Sequence, residues 1–260
     1  MIDTILAFYS QFSPDFEKYL ASGLIIFARV MGFIKYAPGF ARKEVHTMAK
    51  IAFGVVFTVI ICTILPVSKQ PADASFVLTL SLNVLFGALM AYIANCILNI
   101  VEAGGDMINM QMGLNAASVF DPTTSQQSSV MGRFFALFGL LLFINLGGFY
   151  WLFSAFVRSF DVFPIWATGF DIEKLINIPY LVELTSNVLY VGLQIAAPVL
   201  LATLGQDIIL GVISRTAPQV NVFTMSFLFK PIVGCAILMW IMGSLVNVVN
   251  DYFLAFSNIF

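Results

Sequence analysis

Long apolar stretches alternate with short polar connections along this chain. Five stretches of 18 to 28 residues contain no charged side chain: 51–68, 74–101, 134–157, 184–206 and 231–250. A helix needs about 20 apolar residues to cross the hydrocarbon core of a bilayer. A sixth apolar stretch, 19–37, contains Arg29 and Lys35. The pattern predicts an all-α polytopic membrane protein with about six long apolar helices.

The composition agrees with that class. Hydrophobic residues make up 60% of the 260 residues, charged residues make up 10%, and the mean hydropathy is +0.96. Soluble domains carry about 25% charged residues, so most of this protein's surface must face lipid or partner protein. The net charge of −2, without a run of Lys and Arg, excludes a nucleic-acid-binding surface.

Motifs for enzyme and metal chemistry are missing from the sequence. Cys62, Cys96 and Cys235 lie in apolar stretches, at spacings that fit neither a disulfide framework nor a metal motif. His46 is the single histidine and has no cluster of carboxylates or cysteines near it. No nucleotide-binding, hydrolase or metalloprotease motif occurs. We therefore predict that the chain is not an enzyme and binds no cofactor or metal.

Basic residues in the connections predict an orientation. Asp3 stands where a secretory signal peptide carries a base, so the N-terminal segment is expected to be retained. With six spans and the N-terminus outside, the bases on or near the inside are Lys35, Arg42, Lys43, Lys50, Arg133, Arg215 and Lys230. Those outside are Lys18, Lys69, Arg158 and Lys174. Because inside connections are richer in Lys and Arg, both termini are expected outside.

Arg29 lies in the middle of its apolar stretch. An Arg at the centre of a span costs roughly 2.5–3.5 kcal/mol on membrane-insertion scales, unless it faces protein or water. Two interpretations stay open. The guanidinium forms an ion pair with another helix or subunit, or the side chain extends to the membrane interface.

The segment "NIVEAGGDMINMQMGLNAASVF" (99–120) combines charges, glycines and methionines. Glu102 and Asp106 are four residues apart and share one helix face, with two glycines between them that permit close backbone approach. Met107, Met110 and Leu114 form an apolar stripe. That stripe is either ordinary core packing or an adaptable seal, because methionine is unbranched and repacks readily.

A polar loop whose single charged residue is Asp121, "DPTTSQQSSV" (121–130), follows this segment. Irregular backbone cannot face lipid, because its unpaired polar groups would cost several kcal/mol each. The loop must lie outside the bilayer, line a wet cavity or be enclosed by partner protein. A plain connecting loop would be equally polar, so both interpretations remain.

Two long motifs connect the chain to a known family. The segments "QMGLNAASVFDPTTSQQSSVMGRF" and "GVISRTAPQVNVFTMSFLFKP", with a shorter "SFDVFP", resemble the FliR family of the bacterial flagellar export apparatus, called SctT in injectisomes. The resemblance extends over essentially the whole chain. Phe149 and Phe229 depart from the family pattern, which has His and Pro there.

The resemblance implies a fold and an assembly. The helices are expected to form bent hairpins, with a FliP-like part over 1–183 that includes a plug region at 103–130, and a FliQ-like hairpin over 184–260. One copy would join FliP and FliQ, next to FlhA and an FlhB-type switch protein, in the bacterial inner membrane at the flagellar basal body. This gate would pass unfolded flagellar proteins, and its internal loop would plug the closed pore.

The same resemblance implies site residues. The pore plug and gate would comprise Met107, Met110, Gln111, Met112, Gly113, Phe120, Asp121, Pro122, Thr123, Thr124, Ser125 and Gln126. Partner binding would involve Arg29, Glu102, Asp106, Arg215, Pro218, Gln219, Asn221, Phe223 and Lys230. Three other functions stay open: a secondary transporter for a small solute, a structural membrane scaffold, and an injectisome rather than a flagellar component.

Overall fold

The computed structural model describes residues 16–42, 45–65, 75–114, 129–167 and 178–257. All regular structure in these ranges is helical. The seven helices are α1 (Phe16–Tyr36), α2 (Thr47–Ile64), α3 (Phe76–Gln111), α4 (Val130–Asn145), α5 (Gly148–Val162), α6 (Ile178–Thr216) and α7 (Val222–Ser257). The predicted all-α class is confirmed for this part of the chain.

Helix length and composition support a polytopic membrane protein. Within the described ranges, four helices (α2, α3, α6 and α7) are long and apolar enough to cross a membrane, and α4 with α5 would make a fifth as one bent span. The predicted count of six spans is therefore not reproduced. The longest helix, α6, has 39 residues and at 1.5 Å per residue is about 58 Å long, well beyond a hydrocarbon core of about 30 Å.

The uncharged stretch 134–157 is not one helix, contrary to the simplest interpretation of its composition. Gly147 has a φ of +73°, a conformation that residues with a Cβ rarely adopt, and α4 ends just before it. At the next position, a Cβ on Gly148 would overlap the ring of Phe143. The two glycines therefore favour a turn here, and α5 begins as a separate helix.

The chain divides into two compact units. The first comprises 1–95 and 150–177, and the second comprises 96–149 and 178–260. α3 contributes its N-terminal part to the first unit and its C-terminal part to the second. Because each unit draws on two separate parts of the sequence, this division is not a single cut at 183, and the predicted likeness of the parts to FliP and FliQ stays a prediction.

Phenylalanine rings form the centre of the first unit. Phe33 of α1 lies 4.5 Å from Phe156 of α5, measured between ring centroids, and Phe57 of α2 lies 5.2 Å from Phe153. Aromatic pairs at these separations add to the stability given by buried area alone. The cluster therefore joins α1 and α2 to α5.

Glycines bring α1 and α3 together in the same unit. A Cβ on Gly32 would overlap the backbone carbonyl of Val84, and a Cβ on Gly87 would overlap the carbonyl of Arg29. Small residues at a crossing let two backbones approach closely, which is a common way for helices to associate in membranes. This crossing places Arg29 directly against α3.

The second unit is organised around the hairpin of α6 and α7. These two helices pack on each other, and α4 packs on α7. The end of α3 fits against α6, because a Cβ on Gly104 would lie 2.9 Å from the Ile195 side chain. Phe143 of α4 makes an edge-to-face contact with Phe253 of α7 at 5.9 Å between centroids. The described part of the 99–120 segment, residues 99–114, thus lies within a packed helical frame.

Candidate functional site

Arg29 is fully buried in the first unit and is hydrogen-bonded on all sides of its guanidinium. Its Nε donates to Oδ1 of Asn83 at 2.8 Å. Nη1 donates to the carbonyl and the hydroxyl of Ser159 at 3.1 and 3.3 Å, and Nη2 donates to the carbonyl of Phe163 at 2.7 Å. Asn83 in turn donates to the carbonyl of Ile165 at 3.2 Å. We call this set of contacts the Arg29 clamp, because it joins α1 to α3 and to the C-terminal end of α5.

Two features compensate the buried charge of the clamp. The accepting carbonyls lie at the C-terminal end of α5, where the helix dipole is negative. The guanidinium carbon also lies 4.1 Å from the ring centroid of Phe160 and 5.3 Å from that of Phe86, which adds cation–π attraction. The hydrogen bonds and the aromatic rings together therefore stabilise the guanidinium charge, and no carboxylate is among these contacts.

The clamp revises both sequence interpretations of Arg29. The side chain does not extend to a membrane interface, because no part of it is exposed. Its hydrogen-bond acceptors in the described structure are amide, hydroxyl and carbonyl oxygens rather than a carboxylate. A side chain without exposed surface cannot touch a partner in this arrangement, so we assign Arg29 to the packing of its own chain.

The way in which α3 ends explains why the Gln-Met-Gly motif has a glycine at its third position. Gly113 has a φ of +73°. Its N–H donates to the carbonyl of Met110 at 3.1 Å, and the N–H of Leu114 donates to the carbonyl of Asn109 at 3.3 Å. This pair of bonds is the Schellman motif, in which the residue with positive φ is usually glycine. Gly113 therefore sets the point at which the chain leaves the helix for the polar loop.

The start of α4, on the other side of the loop, is tied to α3. The hydroxyl of Ser129 caps α4 by accepting from the N–H of Gly132 at 2.8 Å. The buried Asn109 accepts from the N–H of Met131 at 3.3 Å. A Cβ on Gly105 would lie 2.7 Å from the Met131 carbonyl, so the two helices touch through backbone. We call residues 105–114 and 129–132 the loop stem.

The loop stem also rests on α7. The side chain of Met112 is fully buried and fills the space over Gly234, where a Cβ would lie 2.8 Å from its atoms. A Cβ on Gly113 would lie 3.5 Å from the ring of Phe227. Met110, by contrast, is 75% exposed. Met112 thus packs the stem onto the hairpin, and Met110 is the methionine that is available to contact other chains.

The remaining positions predicted for the plug and for acidic partner contacts fall into three groups. Met107 and Gln111 are partly buried, whereas Glu102 and Asp106 are exposed. Asp106 lies against the first turn of α4, since a Cβ on Gly132 would overlap its carboxylate, and an acid is favourable at a helix N-terminus. Outside the described residues lie Phe120, Asp121, Pro122, Thr123, Thr124, Ser125 and Gln126.

The connection between α6 and α7 (217–221) and the adjoining helix ends form an exposed, mainly polar tip over residues 213–224, which we call the hairpin tip. Asn221 caps α7, because its side-chain oxygen accepts from the N–H of Thr224 at 3.3 Å. Arg215 lies in the last turn of α6, where a cation is favourable. Arg215, Pro218, Gln219 and Asn221 are all exposed. Asn221 therefore shapes the tip, and the other three present their side chains to the surroundings.

Aromatic side chains extend the hairpin tip along α7. Phe223 is 68% exposed and stands edge-to-face on Phe227, with 4.7 Å between ring centroids. Leu228 and Phe229 are exposed beside them. A polar tip next to exposed aromatic rings is the composition expected of a protein–protein contact, in which aromatic residues and Arg are enriched.

An ion pair joins the two helices of the hairpin below the tip. Nζ of Lys230 lies 2.9 Å from Oδ1 of Asp207, and both side chains are partly accessible. Lys230, which the resemblance assigned to partner binding, is thus engaged within its own chain. Asp207 was not predicted, although it is the single acid between 184 and 250. Pairing it with one of the two bases in that range would have been possible from the sequence.

The other residues that build the clamp and the loop stem have no sequence feature from which their contacts could be predicted. Asn83 and Ser159 of the clamp are small polar residues 54 and 130 positions from Arg29. Gly234 matters because of the Met112 side chain above it. Uncharged side chains this far apart cannot be paired from composition or periodicity.

A family profile matches the same helices and motifs as one continuous region. The profile of the bacterial export proteins, family 1, matches residues 20–256. The chain belongs to this family. The matched region includes the Arg29 clamp, the loop stem and the hairpin tip, and it confirms the resemblance to the FliR family. Members of this family are membrane components of the export apparatus and not enzymes, which agrees with the sequence prediction.

The chain is also similar to individual proteins, named as flagellar biosynthetic proteins or as a surface presentation of antigens protein. The chain is 28% identical to the flagellar biosynthetic protein FliR of Pectobacterium carotovorum subsp. carotovorum over 225 residues, which are 85% of this chain and 84% of that protein. It is 28% identical to the flagellar biosynthetic protein FliR of Escherichia coli (strain K12), over 81% of this chain and 80% of that protein. The surface presentation of antigens protein SpaR of Shigella flexneri is 27% identical, with 60% and 59% covered.

Arg29→Lys is expected to destabilise the protein. A lysine keeps the charge but cannot reach acceptors on two helices at once, and each buried acceptor left unpaired costs about 1–3 kcal/mol. Thermal unfolding of the purified chain in detergent should show a lowered Tm. Arg158→Lys, at an exposed position of α5, is the matched control. Equal Tm values for the two variants would contradict the clamp.

Gly113→Ala is expected to weaken the loop stem, because left-handed backbone costs a residue with a Cβ roughly 1–2 kcal/mol. Gly113→Asn should be milder, since Asn tolerates this conformation. Gly205→Ala, in the interior of α6 with open space around its Cβ, should leave the Tm unchanged or raise it. An identical Tm for all three variants would show that Gly113 does not set the end of α3.

Proposed function

We propose that this chain is a core subunit of the flagellar type III secretion export gate. In this role it helps to form the channel through which unfolded flagellar proteins cross the inner membrane. The observation that carries the proposal is the continuous family match over residues 20–256, together with relatives named flagellar biosynthetic protein FliR that are aligned over most of their length. The chain would act at the flagellar basal body.

The exposed face of α6 supports an assembly with other proteins. Exposed apolar side chains follow one another along this helix: Val182, Leu189, Leu193, Leu201, Leu204, Ile208 and Val212. From the first to the last, the stripe is about 45 Å long at 1.5 Å per residue. A hydrocarbon core of about 30 Å covers less than that even when a helix tilts by about 40°. Part of the stripe therefore extends beyond the hydrocarbon core, where partner protein would cover it.

The partners follow from the resemblance to the FliR family. One copy of this chain would associate with FliP and FliQ, and its hairpin tip would face the FlhB-type switch protein and FlhA. The exposed residues of the tip, Arg215, Gln219 and Phe223, are suited to such contacts. Glu102 and Asp106 are exposed on α3 and offer an acidic contact to a neighbouring subunit.

The loop between α3 and α4 would plug the closed pore. Its stem is held at both ends, by Gly113 and by Ser129, and rests on α7 through Met112. Such a stem would keep the loop at a fixed place in the assembly. A polar loop with a single charged residue can touch a passing chain without strong binding, and the exposed Met110 can repack around that chain.

The secondary-transporter interpretation receives less support. Such a transporter is expected to contain broken helices in corresponding positions of two halves. Among the described helices, one bent pair occurs, at α4 and α5. The family that matches the chain is described as bacterial export proteins. An injectisome role remains the second candidate, because relatives named SpaR align over 60% of this chain. The flagellar relatives align over more of it, which favours flagellar export.

Deleting residues 121–127 is expected to raise ion leakage through the assembled complex, because the plug would be gone while Ser129 still caps α4. Leakage is measured as conductance of the purified complex in planar bilayers. A Gly-Ser segment of equal length at 121–127 is the control, since it retains the bulk of the loop. Unchanged conductance after the deletion, with the complex intact, would exclude the plug.

A further inference from the structure

A cavity of about 620 Å³ lies between α1, α2 and α3 in the first unit. Its walls are apolar along most of their length and include Leu24, Phe27, Leu80 and Val84. At one end, Lys35 and Lys50 line it. No acidic side chain is among the described residues around it. The cavity thus combines a long apolar part with a cationic end.

The two lysines lie where the helices meet the basic connection 37–46. Lys35 is in the last turn of α1, and Lys50 is in the first turn of α2. Nζ of Lys50 donates to the carbonyl of Arg42 at 3.3 Å, and Nζ of Lys35 lies 5.3 Å from the ring centroid of Tyr36. Neither of these contacts supplies a counter-ion. An anion at this end of the cavity would be favoured by both charges.

The length of the cavity fits an extended hydrocarbon chain. From Leu24 to Lys35 the cavity runs about 16 Å along α1 at 1.5 Å per residue. A lipid that lies along this length places its headgroup at the cationic end and an acyl chain on the apolar walls.

We propose that this cavity binds an anionic phospholipid, with an acyl chain between α1 and α3 and the phosphate at Lys35 and Lys50. Basic pockets between membrane helices recognise anionic headgroups in this way. The basic connection 37–46 is expected on the inside, so the lipid would come from the inner leaflet. The site lies within the first unit and does not depend on the proposed export function.

Native mass spectrometry of the full chain, delipidated in mild detergent, tests the proposal. Phosphatidylglycerol and phosphatidylcholine of equal chain length are added together. The wild-type chain should retain phosphatidylglycerol in preference to phosphatidylcholine by about thirtyfold, as two lysines near an anionic headgroup imply. Lys35→Gln/Lys50→Gln should lose that preference. Arg158→Gln, which removes an exposed cation outside the cavity, should keep it.

A second measurement distinguishes a lipid from a protein occupant. A photo-crosslinking amino acid at Leu24 is activated in the intact membrane. An adduct of phospholipid mass supports the proposal, and an adduct with another protein chain overturns it. The proposal is also overturned if the double Gln variant retains phosphatidylglycerol as the wild type does, or if Arg158→Gln loses it equally. These mass measurements do not depend on export activity, so a variant that no longer exports protein still tests lipid binding.

Discussion

The buried guanidinium of Arg29 is the interaction on which the packing of the first unit depends. A charge in the middle of an apolar helix must find partners inside the protein, and here they come from α3 and the end of α5. The glycine crossing of α1 and α3 brings the guanidinium close enough to reach them. The same crossing forms one wall of the cavity that we assign to a lipid.

In the second unit, polar groups between the helices also find partners inside the protein, through backbone hydrogen bonds and small residues. Irregular backbone between apolar helices needs hydrogen bonds within the protein. Gly113 ends α3 in a Schellman motif, and Ser129 caps α4. Met112 over Gly234 then fixes this stem to α7. The arrangement connects the motif of the polar loop to the hairpin whose tip carries the second family motif.

Composition was sufficient to predict the all-α membrane class, because uncharged apolar stretches of this length are typical of membrane-spanning helices. The motifs were sufficient to predict the family. The break at Gly147 was missed, since no charge or proline marks it and its positive φ is visible only in three dimensions. The clamp was missed because its acceptors are uncharged and distant in sequence. Met112 was assigned to the pore plug and gate from the resemblance, and the structure shows that its side chain is buried against Gly234.

The central claim is that this chain works as one subunit of a hetero-oligomeric export gate. The most direct measurement is the native mass of the chain purified in mild detergent, expressed alone and together with the FliP and FliQ proteins of the same organism. We expect one copy inside a large hetero-oligomer, and a lower yield of the chain when it is expressed alone, because partner protein would cover part of the long apolar stripe of α6. A stable monomer or homodimer that ignores those proteins would contradict the claim.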